Sequence, residues 1–270
     1  EEWLRARMKI PVFHDDQHGT AVVVTAALRN AFHLTGRRPD QARVAISGAG
    51  AAGIAVAKLI LKIGVRPDNL ILCDIHGVVY KGRRAGMSEW LAPLASSSPA
   101  RTLREAMEGA DVFIGVSAPG IVTPRMLAGM RQDPIVFALA NPVPEIDPLL
   151  ARSARPDAII ATGRSDLPNQ VNNLLCFPFL FRGALDVRAS AIDDSMKLAA
   201  SDALAELAQQ PVPNVVSKAY GTRKLEFGRE YLLPRPFDPR LLETVSSAVA
   251  LAAMKSGIAR TPIADIAAYR

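Results

Sequence analysis

Apolar positions fall into two rhythms along the chain. Nearly continuous apolar runs recur at 43–47, 70–74, 112–116, 135–139 and 158–161. Runs this short with so few polar interruptions predict strands covered on both faces of a sheet. Between the first two, apolar residues return at helical spacing at Ile54, Val56, Ala57, Leu59, Ile60 and Ile63. Further helices are expected over 20–34, 103–108 and 124–130. Strands alternating with helices predict an α/β fold, a Rossmann-type doubly wound parallel sheet.

After Pro168 the pattern becomes mostly helical. Asp193 or Asp194 offers a short carboxylate to the free N–H groups at the start of a helix that runs to about Gln209. Pro211 and Pro213 end it, the polar stretch to Pro239 reads as an extended arm, and an amphipathic helix follows over 240–255. The expected division is a short acidic segment at 1–19, the sheet domain at 20–190, and a helical C-terminal addition with its arm at 191–270.

Composition adds boundaries. Hydrophobic residues make up 49% and charged residues 21%, as in ordinary globular domains, and the 6% of aromatics argues against an aromatic-rich β-sandwich. The net charge of +6 is spread along the chain, without the clustered Lys, Arg and stacking aromatics of a nucleic-acid stripe. Lys58 and Lys62 break the longest apolar candidates for a membrane span, and the opening Glu1-Glu2-Trp3-Leu4-Arg5 has no signal-peptide pattern. Two cysteines, Cys73 and Cys176, sit in apolar stretches and fit a reducing, cytoplasmic compartment.

Gly48-Ala49-Gly50-Ala51-Ala52-Gly53 follows an expected strand and opens an expected helix, and Asp74 closes the next strand. That context suits a dinucleotide: one glycine for the turn, one for pyrophosphate approach and one for helix packing. The N–H groups of Ala51, Ala52 and Gly53 open the helix toward the phosphates. Asp74 is expected to hold the adenosine ribose, which favours NAD. Lys81, Arg83 and Arg84 could instead pair with a 2′-phosphate and favour NADP.

The stretch His14-Asp15-Asp16-Gln17-His18-Gly19-Thr20-Ala21 is expected just before a helix. Adjacent carboxylates suit a hard cation, Mg²⁺ or Mn²⁺, whereas His14 and His18 at i, i+4 would suit zinc, and a solvated turn with capping aspartates needs no ligand. Asn141, before Pro142, and the pair Asn172-Asn173 offer side-chain amides, which also serve as turn residues and helix caps.

The string Ile10-Pro11-Val12-Phe13-His14-Asp15-Asp16-Gln17-His18-Gly19-Thr20-Ala21 resembles the signature of bacterial malic enzymes. So do the glycine loop, Asp111-Val112-Phe113-Ile114-Gly115-Val116-Ser117, Ala138-Leu139-Ala140-Asn141-Pro142, Ala161-Thr162-Gly163-Arg164-Ser165-Asp166 and Asn169-Gln170-Val171-Asn172-Asn173, in the same order. The tail, Gly257-Ile258-Ala259-Arg260 and Pro262-Ile263-Ala264-Asp265, resembles the long bacterial form, in which a phosphotransacetylase-like domain follows. Phe179 stands where that pattern has glycine, and Ser47 where it commonly has asparagine.

The resemblance implies metal-dependent oxidative decarboxylation of malate to pyruvate and CO₂ with reduction of NAD or NADP, in a homo-oligomer. It implies that Asp16 is a Mg²⁺ or Mn²⁺ ligand and that Asp15 orients a catalytic lysine. It further implies that Asn141 and Asn173, with Asn172 close by, bind substrate carboxylate and the nicotinamide side of the cofactor. The family's tyrosine acid, lysine base and two other metal carboxylates would lie upstream of Glu1, in an N-terminal domain of which 1–19 is the end. On that reading the 270 residues alone bind cofactor without turning over malate. Two other readings remain open: a metal-free NAD(P) dehydrogenase such as an amino-acid dehydrogenase, and a non-catalytic nucleotide-binding or assembly module.

Overall fold

The five apolar runs become strands within one or two residues of their expected ends, in a computed structural model that describes residues 1–221 and 225–269. The strands are β1 (Val44–Ser47), β2 (Leu70–Asp74), β3 (Gly77–Val78), β4 (Val112–Gly115), β5 (Ile135–Ala138) and β6 (Ile159–Thr162). Their order across the sheet is β3-β2-β1-β4-β5-β6, parallel throughout except for β3, which turns back antiparallel on β2. The fold is a Rossmann-type doubly wound sheet. The two-residue β3 was not expected, because so short a strand has no periodicity to read.

The helices are α1 (Glu2–Arg5), α2 (Asp15–Thr35), α3 (Ala51–Lys62), α4 (Leu103–Met107), α5 (Pro124–Ala128) and α6 (Pro148–Ala154). They continue with α7 (Phe177–Asp186), α8 (Asp194–Gln209), α9 (Asn214–Ala219), α10 (Arg240–Lys255) and α11 (Ile266–Tyr269). Asp193 caps α8, its side chain accepting the Met196 N–H at 2.9 Å. The same device starts α6, where Asp147 accepts the N–H groups of Leu149 and Leu150 and Pro148 stands in the first turn.

Two expectations are corrected. The helix expected from residue 20 starts at Asp15, so the acidic motif forms its first turn, where carboxylates suit the positive end of the helix dipole. Gly19 is a helical position whose missing side chain makes room: a Cβ there would lie 1.9 Å from Asp15 Oδ1. The arm expected from Pro213 to Pro239 contains α9, with Val216 buried, and its residues 222–224 lie outside the described residues.

The chain divides into a helical unit, residues 1–27 and 172–270, and a sheet unit, Leu28–Val171, where 19/20 and 190/191 were expected. The first boundary falls inside α2, and a continuous helix leaves no break in composition to mark it.

In the sheet unit, register aligns Ile71, Ala45, Phe113, Val136 and Ile160 in one row across five strands. These join one buried cluster with Met107 of α4, Met126 and Leu127 of α5 and Ala151 of α6. Each large apolar side chain so buried contributes about 1.5–3 kcal/mol. Alternate residues point the other way, and α3 packs on β1 and β2. In the helical unit the buried stripes are Met196, Ala200, Leu204 and Leu207 on α8 and Leu241, Val245, Val249 and Ala253 on α10. Spacings of three and four residues set those faces against each other.

Candidate functional site

The glycine loop carries the chain from β1 into α3. Gly48 has φ +108, and a Cβ there would meet the Val116 carbonyl oxygen at 2.5 Å, so no side chain fits the turn. A Cβ on Gly53 would lie 1.7 Å from the Gly48 carbonyl oxygen, so the helix packs directly on the loop. Gly50 differs from both. Its φ is −80 and a Cβ would meet nothing within 4 Å. The fold has no use for glycine at 50, and the empty space is what a ligand touching backbone requires.

Gly50 stands at the N-terminus of α3 without a side-chain cap. The first helical hydrogen bond runs from the Ile54 N–H to the Gly50 carbonyl, so the N–H groups of Ala51, Ala52 and Gly53 precede the helical ladder. Free donors and a positive dipole end suit phosphate oxygens. The sheet order reverses between β1 and β4, and ligands of such sheets sit at the carboxyl ends of strands at this switch point.

Asp74 ends β2, but its carboxylate is engaged. Arg83 grips it with two hydrogen bonds, Nη1 to Oδ1 at 2.7 Å and Nη2 to Oδ2 at 2.5 Å, and the His76 N–H adds 2.8 Å. Burial opposes charge on Asp74, yet the Arg83 hydrogen bond, the His76 N–H and the Arg83 charge together hold its carboxyl below the usual range. The Arg83 side chain is only 3% exposed. Acid and base at this edge therefore form a pair, and Arg83 is spent on Asp74, while Lys81 and Arg84 remain exposed.

At the carboxyl end of β5, Asn141 is exposed, next to a cis peptide bond with Pro142. A Cβ on Gly163 would lie 2.8 Å from Asn141 Nδ2, so the glycine after β6 leaves room for this amide. Glu145 escaped the sequence reading although it closes the same Asn-Pro-x-Pro-Glu stretch. It is fully buried and accepts hydrogen bonds from the Ser117 N–H at 2.9 Å, the Ser117 hydroxyl at 3.2 Å and the Ala140 N–H at 3.0 Å.

The helical unit holds the carboxylates and the other amides. Asn173 Nδ2 donates to Asp15 Oδ2 at 2.7 Å, whereas Asp15 Oδ1 is buried without a hydrogen-bond partner. Desolvation first, then the neighbouring Asp16 charge, push the Asp15 pKa up to about 6, against a smaller opposing effect of His14. Asp16 is open, with its side chain 86% exposed. Asn172 uses its side-chain oxygen to accept the Leu174 N–H at 3.0 Å, capping the short turn at 173–175.

His18 Nε2 lies 2.8 Å from Glu1 Oε2 and its Nδ1 lies 3.3 Å from the buried Lys197 Nζ. Burial first, then the Lys197 charge, lower its pKa. Both ring nitrogens have protein partners, so the zinc reading of His14 and His18 fails. No signal in the sequence linked Glu1, His18 and Lys197, because a contact across 179 positions leaves no local pattern.

Among the described residues no group of three or more His, Cys, Asp and Glu side chains is placed to hold a metal. Asp16 fits a hard cation as one oxygen ligand. An octahedral ion needs several more.

The family model described as "Malic enzyme, NAD binding domain" matches residues 17–217. The chain belongs to the malic enzyme family. It is 55% identical over its whole length to the NADP-dependent malic enzyme of Rhizobium meliloti, of which the match covers 35%. It is 52% identical, again over its whole length, to the NAD-dependent malic enzyme of the same organism, with 35% of that protein covered. Among solved structures, the malic enzyme of Entamoeba histolytica superposes with a TM-score of 0.86 at 35% identity, over 98% of this chain and 53% of that one. The chain thus spans about a third of the length of these two curated relatives. No helix among its described residues is long and apolar enough to cross a membrane.

Proposed function

We propose that this malic enzyme chain is the cofactor-binding part of an enzyme that oxidises malate and releases pyruvate and CO₂, with reduction of NAD or NADP. The observation that carries the reading is Gly50, a glycine that neither backbone conformation nor packing requires, at an uncapped helix start. The N–H groups of Ala51, Ala52 and Gly53 bind the pyrophosphate, and Asp74, with Arg83 upon it, lies at the adenosine ribose. The exposed Asn141 amide orients the nicotinamide and the substrate carboxylate without the desolvation cost of a charged group.

The reaction would take the C2 hydroxyl proton and the C2 hydride from malate, release CO₂ and return a proton to C3; the nicotinamide, which Asn141 would orient, would supply the hydride acceptor when bound. Within this chain the residues bind and orient. Asn173 fixes one oxygen of Asp15, and the orphaned Oδ1 awaits a donor, which the family resemblance makes a lysine. Asp16 contributes one ligand to Mg²⁺ or Mn²⁺, an ion that supplies Lewis acidity when bound. The remaining ligands, the acid and the base belong to the portion of the malic enzyme that this chain does not span. Asn172, committed as a cap, supports the turn that presents Asn173.

Gly50→Val tests the reading. Because a Cβ at 50 meets open space, the variant keeps its circular dichroism and melting temperature. Its affinity for NAD and NADP, measured by calorimetry, falls at least about a hundredfold, corresponding to about 2.7 kcal/mol. Unchanged affinity would move the nucleotide elsewhere.

A further inference from the structure

Glu145 is 0% exposed, and its side-chain hydrogen bonds go to neutral groups of the segments that leave β4 and β5. Its side chain occupies space that Gly115 vacates, since a Cβ there would lie 2.3 Å from Glu145 Cδ. A buried carboxylate costs several kcal/mol in desolvation, offset only by good hydrogen bonds. An apolar side chain would fill the same space without that cost. What an apolar residue cannot do is join two backbone segments.

The joined segments are those that face the ligand. Oε1 takes the N–H and hydroxyl of Ser117, two residues beyond β4, and that hydroxyl lies 2.9 Å from Ser47 Oγ, just before the glycine loop. Oε2 takes the N–H of Ala140, the residue before Asn141. The Glu145 backbone is itself held, its carbonyl accepting the Val122 N–H at 2.9 Å. One carboxylate therefore ties together the carboxyl ends of β1, β4 and β5, on both sides of the switch point.

We propose that Glu145 is a positioning residue: its two oxygens fix the Asn141 turn relative to the glycine loop, and so the reacting end of the cofactor relative to its anchored end. The inference rests on the function proposed above. Displacing a reacting group by about 1 Å can cost about 10²-fold in rate. In Glu145→Gln, one backbone N–H keeps its acceptor and the other faces the new amide NH₂. The loss should therefore fall on orientation, because the pyrophosphate is held by the start of α3.

The test uses the full-length protein that carries this chain. Glu145→Gln should lower kcat for malate oxidation by about ten- to a hundredfold. Its nucleotide Kd should change by less than about threefold, well under the 1.4 kcal/mol of a tenfold shift. An unchanged kcat overturns the proposal, and so does a parallel loss of kcat, nucleotide affinity and melting temperature, the mark of a merely structural residue. If Glu145→Gln does not fold, Ser117→Ala removes one of the three bonds and should lower kcat about threefold at unchanged Kd, a loss of about 0.7 kcal/mol; an unaltered kcat in that variant overturns the proposal equally. If the unaltered protein binds nucleotide but does not oxidise malate, the functional reading fails first and takes this one with it.

Discussion

Asp74 shows how a residue's neighbours decide its role. As a lone carboxylate at the end of β2 it would repel a 2′-phosphate. Gripped by Arg83 it is half of a nearly buried pair, with side chains 16% and 3% exposed. Asp74→Ala leaves the Arg83 guanidinium buried without its carboxylate, and the cost should be roughly 3 kcal/mol. Urea unfolding of the two proteins checks this, and a loss below about 0.5 kcal/mol would mean that Arg83 finds another partner. The acid and its possible rivals were all visible in the sequence, but a ladder of residue numbers cannot say that Asp74 and Arg83 face each other. Glu145 was invisible for a related reason, since its partners Ser117 and Ala140 meet it only after β4 and β5 pair. Gly48, Gly50 and Gly53 could be placed at a strand-to-helix turn because that motif is contiguous, whereas the Val116 carbonyl that bars a side chain at Gly48 lies far along the chain.

At the scale of elements, strands β1, β2, β4, β5 and β6 and helices α3, α8 and α10 were legible because length and apolar rhythm agree there, joined in α8 by the Asp193 cap. Helix α6 was overlooked despite a local signal, Asp147 followed by Pro148, because its seven residues are too few for a clear rhythm. Its end is held by Arg155, which donates to the carbonyls of Leu127, Met130 and Arg131 and pairs with Asp157 at 2.7 Å. The Arg155 hydrogen bond, outweighing burial, lowers the Asp157 pKa to about 2 from 3.8. A depressed folded-state pKa contributes stability that is present above about pH 4 and lost as pH falls toward about 2. With Asp157 a third exposed, solvent screening limits the contribution to about 1 kcal/mol. Asp157→Asn should therefore melt about 2–4 °C lower at pH 7, and the gap should close as the pH drops from about 4 to about 2. Calorimetry across that range checks it, and a gap independent of pH would exclude the ionised pair as its source.

For the whole molecule, the two units divide the chemistry: a sheet unit built to hold a dinucleotide, and a helical unit with one shielded and one open carboxylate. Asp15 has an oxygen without a partner, and Asp16 is one ligand where an octahedral ion needs several. The account therefore predicts binding without turnover. If, as proposed, the general acid and the general base lie outside these residues, each would withhold a factor of about 10² to 10⁴ in rate. The decisive measurement is NAD(P)H formation from malate, with and without Mn²⁺, by these 270 residues and by the full-length protein in parallel. The account predicts Mn²⁺-dependent turnover by the full-length protein that Asp16→Asn abolishes, and none above background from the 270 residues, which still bind the nucleotide. Robust metal-dependent turnover by the 270 residues alone would contradict it.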